Sequence, residues 1–203
     1  MSDSQTECRL CLSAPSSPEG DFPALLVSAL DADDVASLVL PAPAGSDEKL
    51  IARCVAAAQE RGVATLIDGD IEAAKRLGAD GVHIQADARV FAVARGLLGP
   101  SAIVGVHCGA SRHDALAFGE KGADYVAFSA EPQALAELIG WWSQVVVVPC
   151  IAWDIASPGD ARELASAGAD FVSAAPAIWA AQDGPAKAVE AFNAAIEREG
   201  SPA

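Results

Sequence analysis

Basic side chains are scarce: 13 lysines and arginines stand against 28 aspartates and glutamates, a formal charge of −15. Such a surface repels polyanions, so nucleic acid is not expected as a partner. No apolar run approaches the roughly 18 residues that a membrane-crossing helix needs, and a membrane span is not expected either. The opening stretch, 1–7, lacks the basic-then-apolar layout of a secretory signal, which makes a cytosolic address the expectation and the five cysteines thiols. Cys8 and Cys11 form a C-x-x-C with no second pair to complete a zinc site, so buried inert thiols are expected there. The turn after the first apolar segment, APSSPEGD at 14–21, has no G-x-G-x-x-G, which counts against an open dinucleotide-binding sheet.

What is present is apolar residue in quantity. With 52% hydrophobic residues in a 203-residue chain, disorder is excluded and one well-buried domain over 1–203 is expected, its ends at 1–7 and 199–203 flexible. Short β-rich runs fall at 10–14, 35–41, 64–68, 81–85, 103–108, 125–130, 145–152 and 171–175, with helical spacing between them, as in Leu50, Cys54, Val55 and Ala58. Strands that are apolar almost throughout and alternate with helices imply a parallel sheet covered by helices.

An internal repeat narrows the architecture. LGADGV at 77–82, KGADYV at 121–126 and AGADFV at 167–172 recur two strand–helix units apart, each at the junction from a helix into an even-numbered strand. The predicted fold is therefore an α/β protein, a single-domain (β/α)₈ TIM barrel, in which alternate strands are equivalent.

Barrel chemistry sits at the C-terminal strand ends, here Pro41 to Gly45, Asp68 to Asp70, Gln85 to Asp87, His107 to Ser111, Ser129 to Glu131, Trp153 to Ser157 and Ala175 to Trp179. The set contains no lysine or arginine, so a pyrophosphate would lack its usual counter-charges. Period-two alternation places His83 and Gln85 on one face of strand 4 and Gly105 and His107 on one face of strand 5, opposite the valines and isoleucine. His107 is a candidate general acid or base, with Asp68, Gln85 and Asp87 near it, or else a hydrogen-bonded structural histidine. His113 reads as a solvated helix-start residue. Asp68, Asp70 and Asp87 offer oxygen ligands for Mg²⁺, but Asp70 is better placed as a helix N-cap.

The segments LGADGVHI with Gln85 and Asp87, IVGVHCGASRH at 103–113, KGADYVAFS at 121–129, WWSQ and VPCIA within 141–152, and AGADFVSAAPAIW with DGPAKAVEAFN within 167–193 resemble thiamine phosphate synthase over roughly residues 8–197. The resemblance implies the joining of a pyrimidine methyl pyrophosphate to a thiazole phosphate, with Mg²⁺ holding the departing pyrophosphate. It carries Asp87 over as a metal ligand, while by their places at the strand ends and on the polar faces Asp68, His83, Gln85, Ser129 and Asp154 are the substrate-binding candidates and His107 the catalytic one.

The departures fall on that family's working parts. Its Gln-x-Arg-x-Lys at strand 2 is Val39 to Pro43 here, its Asn-Asp after strand 3 is Asp68-Gly69, and its strand 5 serine is His107. Its Gly-Pro-x-x-x-Thr-x-Thr-Lys loop after strand 6 is missing, and its Gly-Gly after strand 7 is Asp154-Ile155. Three functions are therefore carried forward. The first is a degenerate relative linked to thiamine biosynthesis, regulatory or holding a small uncharged or cationic molecule at the barrel mouth. The second is an active synthase or thiazole tautomerase, using Mg²⁺, with a reshaped site. The third is an interaction module anchored by Trp141, Trp142 or Trp179, against which helix packing of those rings competes. A homo-oligomer is left open.

Overall fold

The computed structural model describes residues 7–42 and 45–197. The expected flexible stretches at 1–6 and 199–203, and Pro43 in the strand 2 departure, lie outside the described residues. Glu7 is described, exposed and irregular, one residue ahead of the buried Cys8.

Eight parallel strands close into a barrel in sequence order, β1 (Arg9–Ser13), β2 (Ser37–Pro41), β3 (Ala64–Asp68), β4 (Gly81–Gln85), β5 (Ile103–Gly109), β6 (Tyr125–Phe128), β7 (Cys150–Ala152) and β8 (Phe171–Ser173), with β8 pairing back onto β1. The helices between them are α1 (Phe22–Leu30), α2 (Glu48–Gln59), α3 (Ile71–Leu77), α4 (Ala88–Leu98), α5 (Arg112–Glu120), α6 (Pro132–Val145) and α7 (Pro158–Ala167). A short α8 (Ala175–Trp179) and α9 (Pro185–Ile196) follow β8. The (β/α)₈ barrel read from the sequence is thus the fold. No helix among the described residues is long and apolar enough to cross a membrane.

Local chemistry starts several of these helices. The carboxylates of Asp47, Asp70 and Asp87 accept first-turn backbone N–H groups of α2, α3 and α4, as the Ser111 and Ser157 hydroxyls do for α5 and α7, which satisfies donors that a helix cannot pair internally. Asp70 is the N-cap that its position suggested, and His113 is an exposed residue of α5.

The repeated Gly-Ala-Asp has a mechanical meaning at the bottom of the barrel. Gly78 and Gly168 end α3 and α7 in the left-handed region at φ 68° and 108°, where side chains other than glycine are strained. The aspartate two residues on reaches back to the preceding odd strand. Asp80 accepts from the Thr65 N–H at 2.7 Å, Asp124 from the Val104 N–H at 2.7 Å, and Asp170 from the Cys150 N–H at 2.8 Å. Three clamps of one design tie β3, β5 and β7 to the turns entering β4, β6 and β8, each contributing about 1 kcal/mol or more.

Two apolar layers result. Leu10, Leu38, Val82, Val104, Val126 and Val172 point outward against the helices, while Cys11, Val39, Leu66, Tyr125, Ala127 and Ile151 fill the barrel interior. Cys8, one residue ahead of β1, packs in the outer layer and Cys11 of β1 in the inner one, so the two thiols do not face each other. All five cysteines are buried, and burial pushes the Cys11 thiol up to about 12.

The expected strand at 145–152 needs correction: β7 is only Cys150–Ala152. The apolar stripe Leu135, Leu138, Ile139 and Trp142 carries α6 through Val145, the Trp142 indole N–H donates to the Val148 carbonyl at 2.8 Å to turn the chain, and Val147 is left fully exposed. Four consecutive valines satisfy a helix end, a turn and a strand equally well by periodicity. The last strand is likewise shorter than expected, because Ala175 already belongs to α8.

Candidate active site at the barrel mouth

Register carries the mouth residues to one level. Asp68 closes β3 opposite His83 of β4, and Gln85 closes β4 opposite His107 of β5. Val106 belongs to the outer layer, so His107 faces inward, and its Nε2 lies 2.9 Å from the Ser129 hydroxyl, one residue beyond β6. Its ring stands edge-on to His83 and to Trp153, with centroids 5.7 and 5.8 Å away and interplanar angles of 87° and 89°. Asp154, one residue further along, faces His107 electrostatically, as does Asp68. Gln85 is exposed.

Below this cluster His83 is sandwiched between Trp153, stacked at 4.4 Å and 4°, and Tyr125, at 5.8 Å and 14°. Its Nδ1 lies 2.8 Å from the Tyr125 hydroxyl, and its Nε2 is buried with no hydrogen-bond partner among the described residues. The column fits because β5 has glycine where His83 and Tyr125 pair across it: a Cβ on Gly105 would sit 1.9 Å from Tyr125 Cζ. His83 therefore floors the mouth rather than lining an open surface.

Protonation follows from this packing. Burial, helped by His107, pushes His83 down to about 3, so it stays neutral at ordinary pH, and burial pushes the Tyr125 phenol well up. Burial lowers His107 below its usual 6.5 against the opposing pull of Asp154 and Asp68. Burial likewise raises Asp68, while His107 opposes it. The expected result in an NMR titration of the imidazole resonances is one histidine, His107, with a midpoint below 6.5 and another, His83, silent down to about pH 3. A His107 midpoint at or above 7 would mean that the two carboxylates outweigh burial.

Asp87 is used differently. One of its oxygens accepts the Arg89 and Val90 N–H groups at 2.7 and 3.1 Å, and those bonds hold its carboxyl below the usual range. Among the described residues no group of three histidines, cysteines, aspartates or glutamates is placed to hold a metal. Gly69 stands beside Asp68, and Asp87 keeps one oxygen on the helix start with its other oxygen outside that bond, so a Mg²⁺ here would draw on single carboxylates and on the phosphates of a substrate.

Asp68, His83, His107, Ser129 and Asp154 are thus gathered at one end of the barrel, Gln85 stands at their rim, and Asp87 serves α4. Tyr125 and Trp153 are the residues that sequence reasoning missed. Trp153 stood among the strand-end residues without a role, and the available signal for Tyr125 was Gly105, a glycine inside a strand. The tryptophans proposed as anchors pack instead: Trp142 is fully buried, Trp179 donates to the Ser13 carbonyl at 2.6 Å, and Trp141 carries Arg112 over its ring at 4.5 Å.

A family model described as thiamine monophosphate synthase matches residues 10–178. The thiamine-phosphate synthase of Hyphomonas neptunium is 41% identical over 189 residues, covering 85% of each chain. That of Rhodospirillum centenum is 40% identical over 203 residues, covering 93% of this chain and 97% of its own. Among solved structures, the thiamine phosphate pyrophosphorylase of Pyrococcus furiosus superposes with a TM-score of 0.80 at 19% identity, over 95% of this chain and 97% of its own. GGGPS from Thermoplasma volcanium follows at a TM-score of 0.71 and 15% identity, covering 95% of this chain and 94% of its own, and at such identities the likeness speaks for the barrel alone.

Proposed function

The chain belongs to the thiamine monophosphate synthase family, and from that premise we propose that it serves thiamine biosynthesis as a degenerate member with little or no synthase activity, holding a small uncharged or cationic molecule at its mouth. One observation carries the reading. Asp154 has φ 60°, alone among the described non-glycine residues in the left-handed region, at the position where the family resemblance calls for glycine. The backbone keeps the glycine conformation, which aspartate tolerates better than most residues, while the side chain introduces a carboxylate where an anion would be received.

Around it the mouth is consistent in sign. Asp68 and Asp154 flank His107, and only residues 129–131 separate β6 from α6, in place of a cation-bearing loop. A cytosolic protein without a nucleic-acid partner accords with the charge of −15.

A second reading, an active thiamine phosphate synthase or thiazole tautomerase that takes Mg²⁺ with its substrate, is favoured by the naming of both relatives at 40–41% identity as thiamine-phosphate synthases. Growth rescue of a strain lacking the synthase separates the two. The degenerate reading expects none, and rescue by this chain would establish the second.

A further inference from the structure

Ser129 follows β6 directly and stands three residues ahead of Pro132, the first residue of the 14-residue α6. The order is strand, hydroxyl, helix, as in a nucleophile elbow. The Glu131 side chain does not cap α6, so among the described residues the backbone N–H groups of Gln133 and Ala134 and the positive end of the helix are left for a ligand or solvent. The hydroxyl lies 2.9 Å from His107 Nε2, within the reach required of a nucleophile and its base. His107 is held in turn by edge contacts with His83 and Trp153, and Asp154 and Asp68 favour the imidazolium that would form on it. From the residue after Ser129 onward, the β6 and β7 loops wall a cavity of about 150 Å³ lined by Ala130, Glu131, Leu135, Trp153, Asp154 and Asp160, with Ser129 and His107 next to this lining in the chain and ring contacts rather than part of it.

We infer that Ser129, activated by His107, is the nucleophile of an ester hydrolase activity toward small uncharged or cationic carboxylic esters, distinct from any step on phosphorylated substrates. The Ser129 oxygen forms a bond to the acyl carbon, its proton passes to His107 Nε2, the bond to the leaving alcohol oxygen breaks, and His107 returns the proton to that oxygen. Water then attacks the acyl-serine carbon, giving its proton to His107. The bond from the acyl carbon to Ser129 breaks, and the proton returns to the serine, for a net conversion of ester and water to acid and alcohol. The uncapped amides at the start of α6 are the donors this inference assigns to the charge on the tetrahedral oxygen. Trp153 and the carboxylates of Glu131, Asp154 and Asp160 select an uncharged or cationic alcohol portion and disfavour anionic esters.

The test treats the full-length protein with a fluorophosphonate and maps the adduct by peptide mass spectrometry, alongside hydrolysis of 4-nitrophenyl acetate and acetylthiocholine. The expected adduct is on Ser129, and hydrolysis is expected to fall about 10²–10⁴-fold in Ser129→Ala and in His107→Ala while circular dichroism is unchanged. The wild-type rate should rise with pH and level off with a midpoint below 6.5, which a merely structural hydrogen bond would not produce. No adduct, an adduct on another residue, or undiminished hydrolysis in folded Ser129→Ala overturns the assignment. Mapping the wild-type adduct decides the matter even if a variant fails to fold.

Discussion

Given the pyrimidine pyrophosphate, the thiazole phosphate and Mg²⁺, the purified protein is expected to form thiamine phosphate at least about 10³-fold more slowly than the ~10 s⁻¹ typical of enzymes. The departing pyrophosphate gains negative charge as its bond to the pyrimidine methylene breaks, and fixed cations and amides must meet that charge in the transition state. Loss of one such donor costs about 10²–10³ in rate. The strand-end residues here supply no lysine or arginine, the β6–α6 connection is three residues long, and Asp154 and Asp68 bring negative charge to the same place. The losses need not add, since residues acting as a unit are not additive, but each points the same way. Product formation followed by chromatography reads the result. Turnover near ~10 s⁻¹ would mean that other residues have taken over the anion sites.

Gly105→Ala is expected to destabilise the barrel by about 3 kcal/mol or more, or to leave it insoluble. The added methyl would lie 1.9 Å from Tyr125 Cζ and 2.3 Å from its Oη. That ring cannot simply swing aside. It is buried in the barrel interior, stacked near His83 and bonded to the His83 Nδ1. Overpacking alone costs about 1–3 kcal/mol, and displacing the phenol strands a second nitrogen of His83 besides the one already without a partner. Urea denaturation of the wild type, Gly105→Ala, Tyr125→Ala and the double variant forms a cycle in which the double loss falls short of the sum of the singles, because the truncated tyrosine frees the space. Strict additivity would show that the clash is relieved elsewhere.

Why the fold was legible before the site is clear from particular residues. The Gly-Ala-Asp repeat encodes a local act, a left-handed helix end followed by a carboxylate that clamps the neighbouring strand, and local acts leave local signals. Strand parity likewise put His83 and His107 on the inner face, since one residue of slip would have exchanged them with Ile84 and Val106. The Val145–Val148 run was misread because an apolar run does not say which neighbour buries it, and Trp142 decides that from α6. Contacts across the barrel leave less trace. Tyr125 meets His83 from two strands away, and Trp153 covers it from beyond β7, pairings of 42 residues' separation in the first case that no period reveals. Asp87 fits a helix cap by spacing and a metal by resemblance, and the structure shows one of its oxygens in the cap.

The claim that this mouth no longer receives phosphate is tested most directly by calorimetric titration of the full-length protein with pyrophosphate in the presence of Mg²⁺. With carboxylates at Asp68 and Asp154 and no lysine or arginine at the strand ends, no saturable heat is expected up to millimolar ligand, weaker than about −4 kcal/mol. A Mg²⁺-dependent Kd in the micromolar range, near −8 kcal/mol, would contradict it.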